Sequence, residues 1–391
     1  FIERKPKIGS LARVSTYVNK LRKSYGDNVI LLDNGDILQG QPVCYYSNYI
    51  ADKEPNIAAE VVNYMKYDAQ AFGNHDVETG HNVYDKWINE TKCPVIAANI
   101  INIETGKPYV QPYTIINKEG IKIAILGMLT PAIPNWLSPD LWSGMTFESI
   151  KKSAAFWIDY LKKNENPDVI VGLFHSGWDG GIKTADYMED ETSEVARTIP
   201  GFDIIFFGHD HTEKNETITN NYGEKVLCLD PSCNAMMVAD AELEIEMCGS
   251  EIISKKITGK IQDIRNEGID EDFIYRFEES ISKIDSYVNR KIADITSTIS
   301  MRDCFFGNAP FTDLVHNIQL KQTGADISFC APLSFDIQIP EGPVFVSDMF
   351  KICRFVNQVY VLNMTGEEIR KYLEMSYGLW ANTMKTPDDH I

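Results

Sequence analysis

The chain has 391 residues, enough for two or three domains that each bury a core. It is 44% apolar and 24% charged, ordinary for a globular protein, and no apolar run approaches the roughly 18–20 residues that span a bilayer. A formal net charge of −19 repels a polyphosphate backbone, which excludes duplex DNA and long RNA as partners, so a phosphate ligand must be met by local cations or arginines.

In chain order, the amphipathic stretch Leu11 to Tyr25 predicts a helix and the apolar run Val29 to Leu32 a strand. Further strands are expected at Ala69 to Phe72, Ile121 to Leu129, Val169 to Phe174 and Ile204 to Phe207, with a helix over Ile150 to Lys163. Strands alternating with helices predict a layered α/β domain over residues 1–255. Apolar residues then fall at Ile269, Phe273, Phe277, Ile281, Ile284, Val288 and Ile292. These steps of three and four predict one face of a long helix, read as a connector within residues 256–295, with a surface helix of the first domain as the alternative. Residues 296–391 predict an α+β unit: helices over Phe311 to Lys321 and Gly366 to Tyr377, strands over Asp326 to Cys330 and Val359 to Met364. The eight cysteines include no C-x-x-C pair and read mostly as small buried residues, with a Cys228–Cys233 disulfide open if the protein is exported.

Four polar clusters each follow directly on an expected strand: Asp33-Asn-Gly-Asp36, Gly73-Asn-His-Asp76, Phe174-His-Ser-Gly177 and Gly208-His-Asp-His211. In an open α/β sheet the carboxyl ends of the strands line the ligand crevice, so the four clusters are expected on one rim. Imidazole nitrogens with carboxylate and amide oxygens suit borderline divalent ions, and two such ions roughly 3.5–4 Å apart can activate a water and neutralise phosphoryl oxygens. Four of the seven histidines, His75, His175, His209 and His211, sit in these clusters, while His81, His316 and His390 read as ordinary hydrogen-bonding residues.

The order of these motifs resembles the calcineurin-like metallophosphoesterases, within them the group of 5′-nucleotidases, UDP-sugar hydrolases and 2′,3′-cyclic-nucleotide phosphodiesterases. The resemblance implies a four-layer α/β/β/α sandwich followed by a second α+β domain that binds the nucleotide. It implies two divalent metal ions, of Mn, Zn, Fe or Co type. Asp36 would bridge them, Asn74, His175 and His209 would ligate one, and His211 the other. His75 would be the catalytic histidine that stabilises the phosphate oxygens or protonates the leaving group. The family orients that histidine with an acid three residues later, a place taken here by Glu78, with Asp76 as the runner-up. The family's Asp-x-His on its first strand is not found before Asp36, and it is expected to precede Phe1; loss of one metal site is the alternative.

In the second domain Arg354-Phe-Val-Asn357 matches the Phe and Asn of the family's Pro-Phe-x-Asn motif, which makes Phe355 and Asn357 candidate base contacts. Thr323-Gly-Ala-Asp326 leads into Ala331-Pro-Leu-Ser-Phe335 without the arginine with which the family often grips phosphate. Arg302 is as well read as a solvated surface residue as a phosphate contact. The departure leans towards 2′,3′-cyclic and 3′-nucleotides rather than 5′-nucleotides. The rivals are hydrolysis of UDP-sugars or other nucleotide diphosphates, and a catalytically decayed nucleotide-binding protein. The family commonly works outside the cytoplasm, so a periplasmic or extracellular location is expected.

Overall fold

The computed structural model describes residues 9–249, 251–305, 307–331, 337–353 and 357–381. Its main sheet has six strands in the spatial order Glu213–Thr219, Lys225–Pro231, Ile204–Gly208, Val169–His175, Ile121–Leu129 and Tyr113–Lys118. The four inner strands run parallel and the two edge strands antiparallel to their neighbours. A strand turns alternate side chains to opposite faces, and here both faces are covered, so the inner strands read as continuous apolar runs. Ala124, Leu126, Met128, Ile170, Phe174, Ile205, Phe207, Val226 and Cys228 pack under the helices Ile150–Asn164 and Thr192–Thr198. The intervening Ile123, Ile125, Val169, Val171, Leu173, Ile204, Leu227 and Leu229 pack instead against a second sheet.

That second sheet is parallel and short: Leu32–Asp33, Ala69–Ala71 and Val95–Ile96. Ala69, Ala71 and Ile96 face the main sheet. The helices Ile57–Met65 and His81–Glu90 cover its outer face with Ala58, Ala59, Val83, Tyr84 and Trp87. Helix, sheet, sheet and helix make the expected four layers. The sheets touch at Gly127, where a Cβ would lie 2.4 Å from the Ile96 carbonyl oxygen.

The run Val29–Leu32 contributes only Leu32–Asp33 to the sheet, because the Leu31 N–H is taken by the Asp68 carboxylate at 2.8 Å. A long hairpin, Met237–Cys248 with Glu251–Asp263, lays Ala239, Ala241, Leu243, Ile257 and Ile261 on the core between the sheets. Residues 256–263, expected to open the connector, are thus a strand of the first unit. The expected long helix is two, Glu271–Arg276 and Glu278–Val288, meeting at Phe277. Phe273 and Phe277 both bury edge-on against Tyr64, with ring centroids 5.8 and 5.6 Å away, in the core that the Leu11–Tyr25 helix shares. All eight cysteines are free thiols. Cys228 points into the helix-covered face while Cys233 lies beyond the strand end.

The chain divides into two compact units, residues 1–290 with 345–350, and 291–344 with 351–391. In the second, the helices Pro310–Thr323 and Gly366–Ala381 form where expected. Ile299, Met301, Phe311, Ile339 and Val344 are its core. The segments Asp326–Cys330 and Val359–Met364 are not strands. Val359 to Leu362 are β-formers by residue type, but a strand needs a hydrogen-bonded neighbour, and Val361 and Leu362 are 61% and 72% exposed. No helix among the described residues is long and apolar enough to cross a membrane.

The seating of Phe273 yields a stability prediction. Phe273→Ala should cost the first unit about 3–5 kcal/mol, read as a lower urea midpoint. Tyr275→Ala, whose parent side chain is 80% exposed on the same helix, should shift it by less than about 0.5 kcal/mol. Equal effects of the two changes would show that the helix is not anchored through Phe273.

Candidate metal centre and catalytic site

All four sequence clusters stand at carboxyl ends of strands, two from each sheet. Asp33 to Asp36 follow Leu32–Asp33, and Gly73 to Asp76 follow Ala69–Ala71. His175 ends its own strand, and His209 to His211 follow Ile204–Gly208. The loops of the second sheet are bound together by Asp76. Its carboxylate is buried and accepts backbone N–H bonds from Asp36 at 2.8 Å, Leu38 at 2.9 Å and Gly73 at 2.9 Å. The contact requires glycine at 73, because a Cβ there would lie 2.2 Å from Asp36 Oδ1. Asp36 itself has φ 61°, a left-handed conformation uncommon outside glycine.

Asp36 is held at both carboxylate oxygens. Oδ1 accepts the His75 backbone N–H at 2.8 Å, and Oδ2 lies 3.1 Å from His175 Nε2. Asn74 Oδ1 lies 2.9 Å from the same nitrogen. On the far side of the His175 ring, Nδ1 is 2.6 Å from the Asn34 carbonyl, which can only accept, so Nδ1 carries the ring proton. Nε2 then turns its lone pair towards two oxygens. Three lone pairs converging in a buried place repel one another unless a cation sits among them. Two ligands each about 2.1 Å from one cation at a right angle are about 3.0 Å apart, so these separations suit a shared divalent ion. Without one, a proton does the work: burial would lower the His175 ring, but Asp36 beside it raises it to about 9. Burial would likewise raise Asp36, but His175 holds it well below the usual carboxylate range. The donor set therefore fits a metal.

His75 is the second residue of a short helix, Asn74–Val77, and its Nδ1 is 2.7 Å from Glu78 Oε2 and 2.7 Å from Gln39 Oε1. Residues three apart on a helical turn share a face, so Glu78 meets the ring and Asp76 turns inward to the backbone. Burial tends to lower the His75 ring, yet the Glu78 hydrogen bond and the Asp36 charge leave it raised.

His209 has φ 101° and His211 φ 58°. The His209 and His175 rings are 5.3 Å apart between centroids, while Nε2 of His209 is 3.1 Å from Glu189 Oε1. The exposed His211 is fixed through its carbonyl, which accepts from Ser232 Oγ at 2.8 Å. Asp36, Asn74, His175 and His209 are thus brought together, with His75 and Glu78 beside them and His211 two residues along the same loop. Gln39, Glu189 and the Asn34 carbonyl are contacts that the sequence did not announce. Gln39 is three residues past Asp36, but Glu189 lies on the short acid-rich strand Met188–Asp190 with no periodic signal. In the second unit Asn357 is exposed, 3.9 Å from Cys353 Sγ, and Arg302 begins the turn Arg302–Phe305. Phe355 lies outside the described residues.

Known proteins are similar to this chain along most of its length. The 5′-nucleotidase of Vibrio parahaemolyticus is 26% identical over 93% of this chain and 70% of its own length. The 2′,3′-cyclic-nucleotide 2′-phosphodiesterase/3′-nucleotidase of Haemophilus influenzae is 24% identical over 92% of this chain and 62% of its own. A solved structure, the 5′-nucleotidase precursor of Thermus thermophilus, superposes with a TM-score of 0.70 at 20% identity, covering 96% of this chain and 74% of that one, and so shares the fold. The family model described as 5′-nucleotidase, C-terminal domain matches residues 288–389. The one described as calcineurin-like phosphoesterase matches residues 7–213, more than half of the chain, and this chain belongs to that family.

Proposed function

We propose that this chain is a hydrolase of nucleotide phosphoesters, working at a two-cation centre held by Asp36, Asn74, His175, His209 and His211, with 2′,3′-cyclic and 3′-nucleotides preferred. The observation that carries the reading is the convergence of Asp36 Oδ2 and Asn74 Oδ1 on Nε2 of the buried His175, whose Nδ1 is already bonded to a carbonyl. When bound, two divalent ions of Mn, Zn, Fe or Co type supply the positive charge that a chain of −19 lacks, activating a water and neutralising phosphoryl oxygens.

The remaining work falls to the chain. Asp36 is fixed by the His75 N–H at one oxygen, which leaves the other facing the cation place. The Glu78 carboxylate is an acceptor, so it keeps a proton on Nδ1 of His75 and aims the ring. The same carboxylate favours the charged imidazolium, whose Nε2–H is the donor to a phosphate oxygen or to the leaving alcohol. Phe355 and Asn357 are proposed as base contacts on their motif alone. The preference for cyclic and 3′-nucleotides is supported by the lack of an arginine in residues 331–335 and by the name of the Haemophilus relative. Work outside the cytoplasm belongs to the same proposal, on the family resemblance.

Three measurements bear on it. With Mn²⁺ present, 2′,3′-cyclic AMP and 3′-AMP should be turned over faster than 5′-AMP and UDP-glucose; UDP-glucose as the best substrate would replace this specificity with diphosphate hydrolysis. His75→Asn should keep its Mn²⁺ and lose about 10²- to 10⁴-fold in kcat. Unchanged phosphoesterase activity in that variant would sink the assignment of His75. Glu78→Gln should lower kcat by about 10- to 100-fold with KM little changed, since the ring is misaimed rather than removed. A loss confined to KM would show instead that Glu78 serves substrate binding.

A further inference from the structure

Glu189 is the least expected contact of the site. It lies on the short strand Met188–Asp190, which pairs with Gly180–Lys183 in the excursion that follows His175. Its side chain is fixed from both ends. Oε1 is 3.1 Å from His209 Nε2, and Oε2 accepts the Ile182 N–H at 2.6 Å. Its own carbonyl accepts Thr130 Oγ1 at 2.9 Å and Ser176 Oγ at 3.1 Å. Both partners are largely shielded, with side-chain exposures of 13% for His209 and 16% for Glu189.

A carboxylate can only accept, and among the described residues no second acceptor claims the His209 ring proton as the Asn34 carbonyl does at His175, so the nitrogen that faces Glu189 carries the hydrogen. His209 is therefore the Nε2–H tautomer, and its lone pair is on Nδ1. His175 has the opposite arrangement, with Nδ1–H on the Asn34 carbonyl and its lone pair on Nε2. We propose that Glu189 is a positioning residue: it fixes the tautomer of His209 and so presents Nδ1 to a divalent cation. The proposal rests on the reading of His209 as a metal ligand and adds the residue that makes it one. Histidine ligands ordinarily donate their second N–H to a carboxylate or carbonyl, and loss of such a partner weakens metal binding by about 10- to 100-fold.

Glu189, Asp190 and His209 also lie close enough, with donor atoms within 4.8 Å of one another, to hold a separate cation. The contacts argue against it. Asp190 Oδ1 already accepts the Gly177 N–H at 2.6 Å and Glu189 Oε2 accepts the Ile182 N–H, so each acid spends one oxygen on the backbone.

The test uses the full chain, stripped of metal, in four forms: parent, Glu189→Ala, Glu189→Gln and His209→Gln. Long-range ¹H–¹⁵N spectra of the histidine rings report the tautomer, Mn²⁺ calorimetry reports affinity and stoichiometry, and circular dichroism reports folding. The parent should show His209 as Nε2–H. Glu189→Ala should lose that preference and weaken one Mn²⁺ site by about 10- to 100-fold with an unchanged dichroism spectrum. Glu189→Gln, whose amide oxygen still accepts, should restore both. An unaltered tautomer and affinity in Glu189→Ala, alongside a lost site in His209→Gln, would overturn the positioning role and leave the metal reading standing. Normal Mn²⁺ binding in His209→Gln would remove His209 as a ligand and the proposal with it. Loss of an extra Mn²⁺ equivalent in Glu189→Ala, the others unaffected, would overturn it in favour of a separate site.

Discussion

The buried carboxylate of Asp76 sets the spacing of the site. Three backbone N–H groups from two different loops end on its two oxygens, which satisfies an acid that burial would otherwise penalise. Once those loops are tied, Asp36 Oδ1 falls on the His75 N–H and its other oxygen falls beside His175. Asp210 repeats the device on the main sheet, accepting the Trp178 N–H at 2.8 Å and the Thr212 N–H at 2.9 Å. In both places the aspartate follows directly on a histidine of the site. In both a glycine faces the contact where a Cβ would not fit, Gly73 against Asp36 and Gly177 against Asp210. The aspartates look inward so that the histidines before them can look outward.

The arrangement concentrates negative charge. Burial pushes Asp33 up to about 7, Asp76 to about 6 and Asp230 to about 8, with neighbouring carboxylates adding to each shift. Asp36, His209 and His211 also hold left-handed backbone conformations, each costing of the order of 1–3 kcal/mol for a residue with a side chain. Such conformations persist only where the surroundings over-determine them. Here the Asp76 and Asp210 bonds and the Ser232 bond to the His211 carbonyl do so, anchored on strands buried on both faces.

How far this was legible varies with the kind of contact. The sandwich could be read because strands covered on both sides appear as unbroken runs such as Ile121 to Leu129, and the ligand candidates because each ends such a run. Which acid meets His75 turned on a short helix, Asn74–Val77, too brief to show periodicity; given the helix, Glu78 follows from the three-residue spacing. Glu189 was beyond reach, since twenty residues, with the helix Thr192–Thr198 and the strand Ile204–Gly208 among them, separate it from His209 and nothing local marks it. The placing of the connector helix turned on a related matter. Helical spacing placed Phe273 and Phe277 on one face, but whether that face met the first unit or the second was a tertiary matter, decided by Tyr64. In the second unit, Val359 to Leu362 carry strand-forming residue types without a strand, because composition speaks for side chains and a ladder needs a neighbour.

The two histidines at the centre present different nitrogens, and in each case the choice is made by the atom behind the ring rather than by anything in front of it. A backbone carbonyl stands behind His175 and a carboxylate behind His209. Each favours a proton on the nitrogen it faces and leaves the other to face the place where, on the proposed reading, a cation would be held. That arrangement has a thermodynamic consequence. While no cation is bound, a proton on His175 offsets the crowding of its ring against Asp36 and Asn74. A cation held there would take that proton's place, and because it would bind the folded chain it would stabilise the first unit by mass action. Stability in its absence must come from elsewhere, from the Asp76 bonds and from the apolar core between the sheets, which Ile125, Val171, Leu173 and Leu229 help to fill. The separation of a cation-independent core from a cation-dependent rim is what allows the rim to carry so much like charge.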